Sequence, residues 1–289
     1  MPTEVQQCFS AICHAAKATV EPLTTVLEQQ LAQRLISERF SFDSPDQYVQ
    51  AITDALARND LLLLRDHPNF PRNLGSLPPL SPDTPPWAHS VDVATGNCHY
   101  MTRLDLTSKQ LDHCTNTSFH ARYNQLCRLS ATHQLAGYPL YFVQTLNSGA
   151  PFHIDFAGTE SSQLSGAKIW LTVAIAEAVA EGIGVVDMRW REDQHTLAQL
   201  LRCQSFRWFV KRAGDTLIMP ADRLHATHTV GNEVARSMGH YVATTESWPW
   251  IQASWKCAPK WALPAQYRPA VKKIFETKKI NAGRKSSST

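Results

Sequence analysis

Val20, Leu23, Leu27, Leu31 and Leu35 recur at three- and four-residue steps, which predicts an amphipathic helix over 20–38. A second helix is predicted to begin at Ser44, Pro45 and Asp46, where serine can cap and proline suits the first helical position. Its apolar stripe is Tyr48, Ile52 and Leu56, and Asn59 is the expected stop. Residues 61–64 then read as a buried strand. Six prolines within residues 71–87 exclude a helix or a central strand there and predict a long surface loop closing an N-terminal helical section.

From about residue 138 the pattern changes to short apolar runs separated by turn residues, at 140–145, 168–173, 207–211, 216–219 and 241–244. Short strands with tight turns predict a mainly β protein with helical additions, its core a sandwich or barrel. The aromatic-rich stretch 248–261 is expected to pack back on that core.

Composition narrows the class. A chain of 289 residues, 43% hydrophobic and 18% charged, suits one large globular domain and excludes general disorder. The most apolar stretch, 170–186, is interrupted by Glu177, Glu181 and two glycines, too short and polar for a membrane span. The N-terminal residues lack a basic region leading into an apolar one, so no secretory signal is expected. Seven cysteines without a CxxC pair argue against a disulfide framework and a cysteine zinc site. They favour a reducing compartment, nuclear or cytoplasmic. The net charge of +3 conceals an asymmetry: from residue 256 onward there are nine Lys/Arg and one acid, Glu276, whereas the preceding chain is mildly acidic. That basic tail reads either as a solvated terminus or as a contact with nucleic acid, chromatin or an import receptor.

Three segments carry candidate chemistry. His153 and Asp155 form an H-x-D, and on a strand residues two apart point to one face, so an imidazole and a carboxylate stand side by side. With a distant second histidine they would make a facial triad, the donor set that leaves open positions on iron(II). Alone, the pair is equally a hydrogen-bonded His/Asp couple at a strand end. The segment from Gly214 to His225, a turn, a strand and a proline-started loop, could bring that histidine to the same mouth. His228, three residues on, falls on the opposite face, so only one of the two can ligate, and His225 is preferred. The third feature is Lys168. It shares a strand face with Trp170 and Thr172, while Ile169, Leu171 and Val173 share the other. If that face is interior, the natural partner is a small dicarboxylate lying toward the metal; if exterior, the lysine is simply solvated.

HIDFAGTE, GAKIW and GDTLIMPADRLHATHTV, in this order and spacing, resemble the JmjC-domain oxygenases of the cupin superfamily over about residues 140–245. The first segment is similar to the HxDF-x-GT stretch of histone demethylases that carry plant-homeodomain fingers. The resemblance implies a double-stranded β-helix, or jelly-roll, core over 89–255, between a helical section with its proline-rich loop (1–88) and the basic tail (256–289). It implies iron(II) held by His153, Asp155 and His225, with 2-oxoglutarate as cosubstrate and Lys168 on its distal carboxylate. Thr159 and Gln163 fall where relatives place cosubstrate-contacting or cavity-lining side chains. The implied activity is oxidative decarboxylation to succinate coupled to hydroxylation or N-demethylation, of a protein or histone side chain or of a small molecule. Two positions depart from the family pattern: Ala150 replaces a frequent threonine, and AIAEAVAEGIG follows the lysine strand where a proline-containing turn is usual. A metal-dependent cupin enzyme that does not use 2-oxoglutarate, and a non-catalytic JmjC-like binding module, are the alternatives.

Overall fold

Helix α1, Pro45–Arg58, begins and ends where its capping residues require. Ser44 is extended, and its hydroxyl accepts the Gln47 N–H at 3.3 Å. Asn59 stops the helix in the left-handed conformation, φ 61°. Ile52, Ala55 and Leu56 are buried. The chain then enters strand β1, Leu62–Leu64. The computed structural model describes residues 33–34, 44–64, 88–91, 98–101, 104–105, 140–144, 149–155, 157–183, 199–231, 233–242 and 246–257. The proline-rich loop, the tail beyond Cys257 and all but two residues of the helix expected over 20–38 lie outside these.

Eleven further strands follow. They are β2 (Ala88–Val91), β3 (Cys98–Met101), β4 (Leu104–Asp105), β5 (Leu140–Gln144), β6 (Gly149–His153) and β7 (Gly158–Ser165). Then come β8 (Ala167–Ala174), β9 (Arg207–Arg212), β10 (Thr216–Met219), β11 (Arg223–Val230) and β12 (Ala235–Val242). All pairings are antiparallel, in a six-stranded sheet of order β1-β10-β7-β12-β5-β4, a four-stranded sheet of order β6-β11-β8-β9, and a β2–β3 pair. The buried strand expected at 61–64 is β1, which lies at the edge of the larger sheet.

The strand expected at 241–244 is described from Ala235 to Val242, and residues 243–244 of that expectation lie outside the described residues. Its first half, Ala235, Arg236 and Ser237, has no apolar run, yet it is central, pairing with β7 on one side and β5 on the other. Cross-strand hydrogen bonding, not hydrophobicity, defines it.

The two sheets face each other. Trp170 and Phe209 from the smaller sheet pack with Leu63, Leu217 and Met219 from the larger. The smaller sheet is also covered on its other face: Ile169, Leu171, Val173, Leu224 and Ala226 join Phe206 and helix α2 (Ile175–Ala180) in a second core. Helix α2 occupies the AIAEAVAEGIG stretch. Helix α3, Trp248–Cys257, packs back as expected, with Trp248 and Ile251 buried and the Ser254 hydroxyl donating to the Ala221 carbonyl at 2.9 Å. No helix among the described residues is long and apolar enough to cross a membrane. Cys203 is a buried free thiol and Cys257 an exposed one.

The chain crosses from the larger sheet to the smaller at Gly166, between β7 and β8. Its φ is +63°, and a Cβ there would lie 2.9 Å from the Ala235 Cα. Both the left-handed backbone and the contact exclude a side chain. Gly166→Ala is expected to lower stability by more than about 1 kcal/mol, read from the midpoint of chemical denaturation. An unchanged midpoint would mean that the crossing does not constrain the fold.

Candidate metal centre and its buried lysines

His153 is the last residue of β6, so the H-x-D lies at a strand end and runs into the following segment. Alternation persists through it: Phe152 and Ile154 belong to the outer core, while His153 and Asp155 turn to the other side. A register shift accompanies this turn. His225 lies opposite His153 but Thr227 opposite Ala150, so β6 carries one extra residue, a bulge that re-aims its end. On its other edge β11 pairs with β8 without interruption, His225 opposite Thr172 and His228 opposite Ile169. His225 therefore faces the inter-sheet space and His228 the outer core.

One ligand atom each from His153, Asp155 and His225 lies within 4.8 Å of the others, a group able to hold a metal ion. The two imidazole centroids are 4.2 Å apart, and His225 Nε2 is 3.8 Å from Asp155 Oδ2. Two contacts orient these donors. His225 Nδ1 is 3.1 Å from the Arg223 carbonyl, which assigns its proton to Nδ1 and leaves the Nε2 lone pair for a metal. The Thr159 hydroxyl donates to Asp155 Oδ2 at 2.6 Å. Burial, reinforced by neighbouring His153, lowers the His225 pKa to about 4, so the ring is neutral and a competent ligand at neutral pH.

The face that carries His225 continues into a polar interior. Lys168, Trp170 and Thr172 on β8 lie on it, which decides between the two orientations that alternation allows. Lys168 is 2% exposed, and its ammonium donates to the Ser237 hydroxyl of the opposite sheet at 3.0 Å. Trp170 stacks on His225 at 5.5 Å between centroids. The hydroxyls of Thr172 and Thr229 are buried and have no hydrogen-bond partner among the described residues. Gln163 is fully buried, its amide donating to the Ser165 carbonyl at 2.7 Å, while its own oxygen has no partner among the described residues. At Ala150, the backbone N–H and the Gln144 amide both reach Thr227 Oγ1, at 3.4 and 3.2 Å.

A second buried cation, Lys211, is absent from the residues singled out in the sequence. It lies on β9 directly opposite Lys168 on β8, donates to Ser161 Oγ at 2.6 Å, and sits 4.7 Å from the Trp170 ring centroid. Alternation was the signal available, since it places Lys211 on the same strand face as Phe209, an aromatic expected in the core.

Burial lowers the Lys168 pKa to about 7 and that of Lys211 well below 10.5, the latter also through the neighbouring Lys168 charge. Between pH 7 and 10.5 the unfolded chain holds a lysine proton that the folded chain has released at Lys168, so stability should rise with pH through this window. Below it the cost of burying the charged amine is fully present. Thermal or urea denaturation against pH tests this in metal-free protein, and the pH-dependent gain should shrink in Lys168→Met. Identical pH dependence would mean that Lys168 stays charged in the interior.

His225 and His228 provide a paired test. His225→Ala should lose metal binding, whereas His228→Ala, on the other face, should keep it with at most a modest stability change. The reverse outcome in a metal titration would exchange their roles.

No protein-family model and no curated protein matches this sequence.

Proposed function

We propose that the protein is an iron(II)- and 2-oxoglutarate-dependent oxygenase whose two facing sheets form a JmjC-like jelly-roll of the cupin class. The observation that carries this reading is Lys168, a buried amine without an ion-pair partner among the described residues, facing the same interior as the His153–Asp155–His225 group. Burying such a group is costly unless an anion accompanies it. A cupin metalloenzyme that uses no 2-oxo acid, or a binding module that has lost its chemistry, needs no cation there.

The donor set fits iron(II). Two neutral imidazoles and one carboxylate on a single face are the combination that leaves coordination positions free in non-haem iron oxygenases. When bound, iron(II) would supply activation of dioxygen, with one oxygen atom oxidising the 2-oxo acid to succinate and carbon dioxide and the other being inserted into a substrate C–H bond. The chain's own residues bind, orient and exclude water. His153, Asp155 and His225 would hold the metal, with Thr159 steadying the carboxylate and the Arg223 carbonyl fixing the His225 tautomer. Lys168 would donate a charge-assisted hydrogen bond to the distal carboxylate, placing the acid along the β8 face. The unpartnered hydroxyls of Thr172 and Thr229 offer donors on that face, and Thr172, opposite His225, compensates for the threonine replaced at Ala150. Trp170 and Phe209 close the interior on the β9 side against water.

Substrates of three kinds suit this chemistry, a protein or histone side chain, a modified nucleic acid or a small molecule. The test is succinate release from 2-oxoglutarate with iron(II) and ascorbate, with and without candidate peptides. Iron-dependent succinate formation supports the reading. Its absence in protein that binds iron normally would favour a metal-only cupin, and absence of iron binding an inert module.

A further inference from the structure

Lys168 and Lys211 are adjacent across β8 and β9 and project from the same face. Both span the space between the sheets and end on neighbouring strands of the larger one. Lys168 reaches Ser237 on β12, and Lys211 reaches the carbonyl and hydroxyl of Ser161 on β7, at 3.1 and 2.6 Å. Neither is more than 2% exposed. Their hydrogen-bond partners are serine groups, and neither forms a salt bridge among the described residues; Asp215 acts on Lys211 only through space.

Two like charges side by side in a dry interior repel each other and lose hydration together, so the pair is unfavourable without an anion. A lysine needed only for packing would be replaced at no cost by methionine or leucine. Each ammonium carries three donors, and the recorded bonds leave capacity for a further acceptor on each. The hydroxyl of Thr229, whose residue is directly opposite Lys168 on β11, is also buried without a partner among the described residues.

We propose that Lys211 is a second anchor for the distal carboxylate of the cosubstrate, so that the pocket recognises a dicarboxylate through two lysines held by Ser161 and Ser237. This rests on the 2-oxoglutarate reading above and adds to it a determinant of acid selectivity. A single cation suffices to attract a carboxylate; two converging amines define both of its oxygens and favour an acid whose far end carries the full charge. Binding a carboxylate also restores the charged form that burial opposes in both amines.

The probe is glutarate, which has the two carboxylates but no 2-oxo group and so needs no metal. Its binding to metal-free protein is measured by calorimetry and by the rise in thermal midpoint, for the parent, Lys168→Met, Lys211→Met and the double variant. Methionine removes the amine while keeping an apolar chain of similar length, so the fold should be retained, and Lys211→Gln is the companion should it not be. Lys211→Met is expected to weaken glutarate by about tenfold or more. Because the two amines share one carboxylate, the double variant should weaken binding by less than the product of the single effects. Propionate, with one carboxylate, should respond to both variants in the same way, because it can occupy only the lysine end.

Unchanged glutarate affinity in Lys211→Met, with affinity lost in Lys168→Met, would overturn this inference and leave the 2-oxoglutarate reading intact. Product-like additivity would also overturn it, by showing separate anions. A parent that binds no glutarate removes the two-lysine site, while iron-dependent succinate formation remains the independent test of the oxygenase.

Discussion

Asp155→Ala is expected to abolish iron(II) binding at micromolar metal and, with it, all 2-oxoglutarate turnover. Asp155 is the only carboxylate in the three-residue group, buried within 3.8 Å of His225 Nε2. Its removal leaves two neutral imidazoles whose lone pairs cannot neutralise a divalent cation, and it deprives the Thr159 hydroxyl of its acceptor. The residual site lacks both the charge and one of three fixed positions. Iron titration under anaerobic conditions and succinate assay on the same preparation measure the two losses. Thr159→Val provides the graded control. It keeps the ligand but loses the hydrogen bond that orients it, and outer contacts of this type are worth about ten- to a hundredfold in metal affinity. Undiminished turnover in Asp155→Ala would remove the triad assignment altogether.

Lys168→Ala is expected to raise the apparent constant for 2-oxoglutarate while leaving iron affinity almost unchanged. A charged hydrogen bond contributes about 1.5–3 kcal/mol, which corresponds to roughly ten- to a hundredfold or more in affinity. The ammonium donates to Ser237 of the opposite sheet, two strand positions beyond Trp170, so it is not a metal donor. The separation of the two effects is therefore the informative result. Lys168→Arg is expected to recover only part of the loss, since a planar guanidinium need not fit a site shaped around an ammonium. Iron-dependent succinate formation against 2-oxoglutarate concentration, with metal binding measured in parallel, gives both quantities. A variant that responds to 2-oxoglutarate like the parent would sink the cosubstrate assignment, and with it the distinction from a metal-only cupin.

Local rules in the sequence sufficed for several elements. Ser44, Pro45 and Asn59 delimit α1 because capping is a property of a few adjacent residues. The strands at 140–144, 168–173, 207–211 and 216–219 are legible because each contains an apolar run between turn residues. The relation of His153 to Asp155, and the opposition of His225 and His228, follow from a period of two along an extended chain. Alternation also sorted Lys168, Trp170 and Thr172 from Ile169, Leu171 and Val173. It could not say which set faces inward, because that depends on what lies above and below the strand.

Tertiary structure decided that question against the usual expectation that the apolar face is the inner one. The apolar set is buried beneath α2 and Phe206, and the polar set faces the second sheet, so β8 is buried on both sides. The same non-local pairing made a central strand of Ala235, Arg236 and Ser237 and brought Lys211 beside Lys168. By itself, then, the sequence determined the capped helix, the strands built on apolar runs (β1, β5, β8, β9 and β10) and the residue types able to bind a metal, all of which depend on neighbours a few positions apart. Only the tertiary structure decided that these side chains converge in one interior and that a second lysine joins them. Sheet pairing couples residues far apart along the chain, Leu62 with Ile218 among them, and a one-residue bulge at the end of β6 sets the register that joins His153 to His225.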